Sequence, residues 1–262
     1  MLYAIPKYIP GNRIHQTSLL IITKHPPERR CPMKKPYGRQ TKKKVREILQ
    51  MPLQEEALTL LALIPDEQLV GHLFSHFYIN DELIKFRSIT AMGELGKRLA
   101  AHRMEKARIL MRRIMWNLND ESGGIGWGSC EAMGQILSKS PELAREFKSI
   151  LFSYLDPKGN FIEHETLQQG VLWGIGTYLE AAPQHLNRTT EALISDHLHS
   201  FDPVKRGYAV RALVNGGRFD CSSVPKAVLT DSEQIEIFTG WDFGKTRISD
   251  IALAGDGKRG FT

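Results

Sequence analysis

The sequence predicts an all-α solenoid of about four to five helix pairs with a small C-terminal β-hairpin cap. Three observations lead there. The triplets Ala91-Met92-Gly93, Ala132-Met133-Gly134, Leu172-Trp173-Gly174 and Ala212-Leu213-Val214 recur at offsets of 41, 40 and 40 residues, a period that suits stacked helix pairs. An aspartate precedes each triplet (Asp81, Asp120, Asp156, Asp202), placed to cap the start of the second helix of a pair. Beyond Gly217 the helical period gives way to alternation in Gln234-Ile235-Glu236-Ile237-Phe238 and again in Lys245-Thr246-Arg247-Ile248, the mark of paired strands.

From the N-terminus, residues 1–41 read as a basic, disordered leader. Its first 32 residues hold five prolines and no helical period. Met33 precedes the lysine-rich run that enters the first helix, so one expectation is that translation starts there. Residues 42–217 carry the repeats, opening with a degenerate helical cap over 42–64. The first helices of the pairs read as Glu67 to Tyr78, Glu105 to Leu118, Pro141 to Tyr154 and Thr190 to Ser200. In the second of these, Ala107, Leu110, Ile114 and Leu118 form one apolar stripe opposite Arg108, Arg112 and Arg113. The second helices carry small residues (Ala91, Gly93, Gly134, Gly170, Gly174, Ala209, Ala212) that permit close approach. Glycine there lowers helix propensity by about 1 kcal/mol each, which implies a packing reason. Residues 218–262 form the hairpin cap, with a turn over 239–244, and a tail from Gly255. The hairpin is expected to cover the last repeat.

Position decides what the charge means. The chain of 262 residues has 35 Lys plus Arg against 29 Asp plus Glu, a net +6. Residues 1–46 hold 12 of the bases and one of the acids, so the other 216 residues keep 23 bases against 28 acids, a net −5. A basic leader on an acidic body argues against reading the whole molecule as a nucleic-acid binder. The seven bases from Lys34 to Arg46, with Tyr37, are a modest footprint for it, and a solvated tail is the plainer reading. Three widely spaced cysteines without a CxxC indicate neither a disulfide framework nor a zinc site, and apolar runs are too short for a bilayer. A soluble cytoplasmic protein is expected, with no membrane partner.

The residues of the first repeat, Asp81, Ile84, Lys85, Ala91, Met92 and Gly93, resemble the HEAT-repeat family, in its PBS-lyase-HEAT-like group. The last repeat is similar to it through Asp202, Pro203, Arg206, Ala209, Ala212 and Leu213, with Lys205 where the family has an aliphatic residue. The resemblance covers residues 67–217 and implies the solenoid fold. It leaves function open, because such repeats serve as scaffolds and partner-binding surfaces as well as bilin lyases, DNA-repair enzymes and iron hydroxylases.

Two insertions stand out. Asn119-Asp120-Glu121-Ser122-Gly123-Gly124-Ile125-Gly126-Trp127-Gly128, followed by Glu131, puts four glycines, two acids and a tryptophan into a helix connection that needs none of them. The acids and the missing Walker lysine argue against a phosphate loop. The third repeat inserts Pro157 to Ile162 before Glu163-His164-Glu165. The repeat offset sets the segment Asp120 to Glu131 beside Phe161 to Trp173. The expected partner site is therefore Asn119, Asp120, Glu121, Trp127, Glu131, Phe161, His164, Glu165 and Trp173, on the concave face, for a protein or peptide of basic character. Its structural alternative is Trp127 packed in an inter-repeat groove, with the glycines allowing a tight crossing.

The His164-Glu165 pair resembles the ligand pair of the iron-binding HEAT hydroxylases. A lone pair at a helix start also reads as capping and dipole compensation, and on that reading no metal and no cofactor is expected. No Ser/His/Asp or Cys/His constellation assembles, because Cys130 shares its repeat with no histidine. A non-catalytic adaptor is the leading reading. The alternatives are a HEAT-like lyase or metal-dependent hydroxylase using Asp120, Glu131 and His164, and nucleic-acid binding through the basic leader.

Overall fold

The computed structural model describes residues 38–118, 125–222 and 224–257. Residues 1–37 of the leader, the Met33 start, and Asn119, Asp120 and Glu121 lie outside the described residues, whereas residues 38–41, read as the end of the leader, open the first helix. Among those described, the chain forms twelve α-helices and one two-stranded antiparallel sheet. Helices α1 (Gly38–Leu49) and α2 (Gln54–Ala62) precede four pairs. The first helices are α3 (Asp66–His76), α5 (Met104–Leu118), α7 (Pro141–Ser153) and α9 (Arg188–Asp196). The second helices are α4 (Glu82–His102), α6 (Ser129–Lys139), α8 (Glu165–Ala181) and α10 (Pro203–Asn215). Each second helix packs on the next, in the order α4, α6, α8, α10, and each first helix packs on its own partner. This is a helical-repeat solenoid, with every first helix within two residues of its expected start.

The aspartate expectation holds at the outer repeats. Asp81 Oδ1 accepts from the Ile84 amide at 3.1 Å, and Asp202 Oδ1 accepts from the Val204 amide at 2.8 Å with Pro203 at the first helical position. Asp156 departs from it. The insertion separates it from α8, and its carboxylate instead closes a local turn on the Lys158 amide at 2.9 Å. Ser140 and Asn187 cap α7 and α9.

The core lies between the two helix layers, where Leu73, Ile89, Met92, Ile114, Ile136, Leu172 and Ile175 are fully or almost fully buried. Each such side chain contributes about 1.5–3 kcal/mol relative to exposure. The inner layer is drawn together by glycine. A Cβ on Gly134 would lie 2.3 Å from Gly174 O and 2.4 Å from Gly174 Cα, and one on Gly174 would lie 2.5 Å from Cys130 O. The backbones of α6 and α8 therefore touch.

Strands β1 (Gln234–Thr239) and β2 (Asp242–Arg247) pair from Gln234↔Arg247 to Thr239↔Asp242. The loop is two residues long, shorter than the expected turn, and Gly240 takes its first position at φ 66, as a tight II′-type connection requires. After the short α11 (Lys226–Leu229) and the hairpin comes α12 (Ile248–Gly257), so the tail expected from Gly255 starts as helix. β1 and α12 both pack on α10, where a Gly207 Cβ would strike Ile235 Cδ1 at 2.1 Å. The last repeat is thus covered as expected.

The hairpin also reaches further. Phe238 and Phe243 pack on Phe86 of α4 at centroid distances of 5.3 and 5.1 Å, the first tilted and the second edge-to-face. Trp241 Nε1 donates to Met51 O at 2.8 Å. Arg87 locks this tip: its guanidinium donates to Trp241 O, Leu49 O and Met51 O at 2.9–3.1 Å. The C-terminal hairpin therefore runs along the second-helix layer from α10 to α4. No helix among the described residues is long and apolar enough to cross a membrane.

Candidate functional site

The N-terminal halves of all four second helices and residues of the hairpin surround a cavity of about 410 Å³. Glu82, Lys85 and Phe86 come from α4, Glu131 from α6, Thr166, Gln169, Gly170 and Trp173 from α8, and Val204 and Tyr208 from α10. The hairpin adds Gln234, Ile235, Glu236 and Phe243, and Trp127 lines the wall just before α6. A second hollow of about 330 Å³ shares Glu82, Lys85, Trp127 and Thr166 and continues past Tyr78 and Asn80. Volumes of this size hold a small molecule or an inserted side chain.

Local sequence explains how Trp127 and Glu131 are presented. Gly128 is left-handed at φ 71, and a Cβ there would lie 3.0 Å from Phe77 Cγ. Only glycine turns the chain from Trp127 into α6 this close to α3. Glu131 follows in the first turn, and its carboxyl rests on Gly170 of α8, where a Cβ would be 2.7 Å from both oxygens.

Glu131 is the unusual group of the cavity. It is 7% exposed, and its Oε2 is buried without a hydrogen-bond partner. Burial pushes its carboxyl above the ordinary value of 4.5, and the positive charge of Lys85 opposes that shift. Lys85 is itself buried but engaged, donating to both Glu82 oxygens at 3.2 and 3.3 Å. Tyr208 donates to Glu236 O at 3.1 Å, and its phenol is pushed upward by burial and by the charge of Glu131. Three acids (Glu82, Glu131, Glu236) and one lysine thus line the cavity, with Glu236 paired to Lys245 at 3.6 Å. The indole Nε1 of Trp173, 1% exposed, is also without a partner.

The expected site is assembled in part. Trp127, Glu131 and Trp173 line one cavity. His164 does not line it but packs its ring perpendicular to Trp127, at 5.3 Å between centroids. Phe161 is 39% exposed and does not line the cavity. Glu165 is drawn away by an ion pair with the buried Lys205, which also donates to Gln168 Oε1 at 3.1 Å. The lysine that replaces an aliphatic residue in the last repeat therefore joins α10 to α8. His164 occupies the N-cap of α8 without a side-chain capping bond. Among the described residues no group of three His, Cys, Asp or Glu is arranged to hold a metal, and Glu131, His164 and Glu165 do not converge. Cys130 is fully buried, and burial pushes its thiol well above the ordinary range, in keeping with a packing role.

Sequence reasoning missed the contributions of α4, α10 and the hairpin. The repeat register carried part of the signal, because Lys85 and Thr166 occupy equivalent turns of α4 and α8. The meeting of the hairpin with α4 carried none, since the contacts of its tip join segments some 150 residues apart or more.

The fold and the cavity define the class: a helical-repeat solenoid with a ligand-sized opening at the start of its second-helix layer. No protein-family model matches the chain. An uncharacterized protein of Archaeoglobus fulgidus is 27% identical over 181 residues, spanning 69% of this chain and 92% of that protein. Among solved structures, a computationally designed armadillo repeat protein for modular peptide recognition aligns at 14% identity over 82% of this chain and 98% of its own, with a TM-score of 0.44. An engineered protein aligns at 16% identity over 68% and 79%, with a TM-score of 0.39.

Proposed function

We propose that this chain is a non-catalytic recognition scaffold that binds a basic segment of a protein partner at the cavity between α4, α6, α8, α10 and the hairpin. The observation that carries this reading is the buried Glu131 carboxylate at an open cavity, whose Oε2 has no hydrogen-bond partner. Leaving such a group unpaired costs about 1–3 kcal/mol, and a donor from a ligand would recover that cost. The excess of acids over bases in its lining favours a cation. Trp127, His164 and the nearby Phe161 supply the amphipathic and aromatic surface common at recognition sites. Asn119, Asp120 and Glu121, which precede Trp127 in sequence, are proposed as further partner-binding residues. Because the hairpin already occupies much of the inner layer, the partner engages the mouth of the cavity rather than lying along the whole concave face. A reducing cytoplasm, with Cys130 kept as a thiol, is the setting this reading assumes.

An array of short immobilised peptides of varied charge, probed with the full chain and with the Trp127→Ala and Glu131→Gln variants, tests the proposal. It expects basic peptides to be retained by the wild type and lost by both variants. Equal retention by all three proteins, or no preference for basic peptides, would contradict it.

A further inference from the structure

Deepening that reading and resting on it, we propose that the cavity is a guanidinium subsite, occupied by an arginine side chain of the partner that is anchored on the Glu131 carboxylate. The argument starts from the floor of the cavity. Glu131 is 93% buried, lines the opening, and has an oxygen that no protein group satisfies. Rotation about its terminal torsion, which is soft for a carboxylate, presents either oxygen to a donor. The lining cation, Lys85, is spent on Glu82, and Glu236 pairs with Lys245 at 3.6 Å, so Glu131 remains to balance an incoming positive charge.

The walls then choose among cations. Trp127 and Phe243 line the cavity with aromatic surface, beside Phe86 and Trp173, whose rings already carry Lys85 at 5.7 Å and Arg211 at 5.5 Å. A guanidinium stacks on such faces and is more weakly hydrated than an ammonium, so it loses less on entering a closed space. The protein makes this pairing with its own residues: Arg211 lies over the Trp173 ring at 5.5 Å, and Arg87 over Trp241 at 5.2 Å. Its planar fork also offers several parallel donors to one carboxylate, where an ammonium offers a point charge. The adjoining hollow past Tyr78 and Asn80 leaves room for the chain that carries the arginine.

The test titrates the full-length protein with butylguanidinium, butylammonium and the neutral butylurea, following tryptophan fluorescence and calorimetric heat, for wild type, Glu131→Gln and Glu131→Asp. The proposal expects saturable binding in the order guanidinium, ammonium, urea. It also expects a loss of roughly tenfold or more in affinity for the guanidinium in Glu131→Gln, and partial retention in Glu131→Asp. Urea binding equal to guanidinium, ammonium binding tighter than guanidinium, or an unchanged Glu131→Gln affinity would each overturn it. Unfolding curves of the variants show whether a lost signal comes from a lost fold. If the probes bind in the expected order while peptide arrays show no preference for arginine, the subsite stands and the protein-partner reading fails.

Discussion

Alanine at position 134 probes the closest contact in the inner layer. Its Cβ would sit 2.3 Å from Gly174 O and 2.4 Å from Gly174 Cα, where ordinary contact is 3.4–4 Å, so α6 and α8 must separate by about 1 Å or more. Both opposing atoms are backbone, so no rotamer change relieves the clash. Overpacking of this kind costs about 1–3 kcal/mol and occasionally more, against a gain of about 0.5–1 kcal/mol from replacing a helical glycine by alanine. The expected net loss is about 1–2 kcal/mol, or a fall of several degrees in Tm for a chain of this size. Gly71→Ala provides the opposite sign. Gly71 lies exposed inside α3 with nothing within 4 Å of its Cβ, so alanine there gains about 0.5–1 kcal/mol. Urea unfolding followed by circular dichroism, with equal slopes for the two variants, measures both changes. Gly134→Ala as stable as wild type, or Gly71→Ala destabilised, would refute the packing argument.

Three further outcomes follow from individual groups. Glu131→Gln stabilises the protein at neutral pH: the folded carboxyl titrates above its ordinary value, so its favourable neutral form prevails below about pH 4.5 and is lost as pH rises. Melting scans from pH 4 to pH 8 should show the variant drawing ahead by a few degrees toward neutrality, about 1 kcal/mol or more; parallel curves would contradict it. His76 and His197 are held below their ordinary value of 6.5, chiefly by burial, so protonation opposes the fold. Stability is full above about pH 6.5 and falls on acidification, and the double variant His76→Gln/His197→Gln should lose part of that pH dependence. Arg87→Met removes three charge-assisted bonds to carbonyls of the α1–α2 connection and the hairpin tip. It should cost about 2–4 kcal/mol and raise amide exchange across residues 234–247, whereas protection like wild type would show that the hairpin holds without it.

The repeat was legible in the sequence because a solenoid writes its contacts at a fixed offset. The triplets at 91, 132, 172 and 212 fall on four helices that pack in series, and the caps at Asp81 and Asp202 follow from short connections. Glu131 and Trp127 were legible because their segment held more glycine, acid and indole than a connection needs. The rest depends on contacts that no local pattern encodes. Trp241 meets Met51 across 190 residues, so nothing in the alternation of residues 234–248 indicates that the hairpin walls a cavity beside α4. Glu165 looked like a site residue because of its neighbour His164, yet Lys205, a repeat away, takes its carboxylate. Asp156 matched the capping pattern by spacing, but its insertion gave the side chain a nearer amide to bind.

A crystal structure of the full chain with butylguanidinium bound tests the central claim most directly. The account predicts the guanidinium inside the cavity, its nitrogens about 2.7–3.0 Å from the Glu131 carboxylate and its plane against Trp127. A cavity left empty beside an intact Glu131, or a probe bound only on the outer helices, would contradict it.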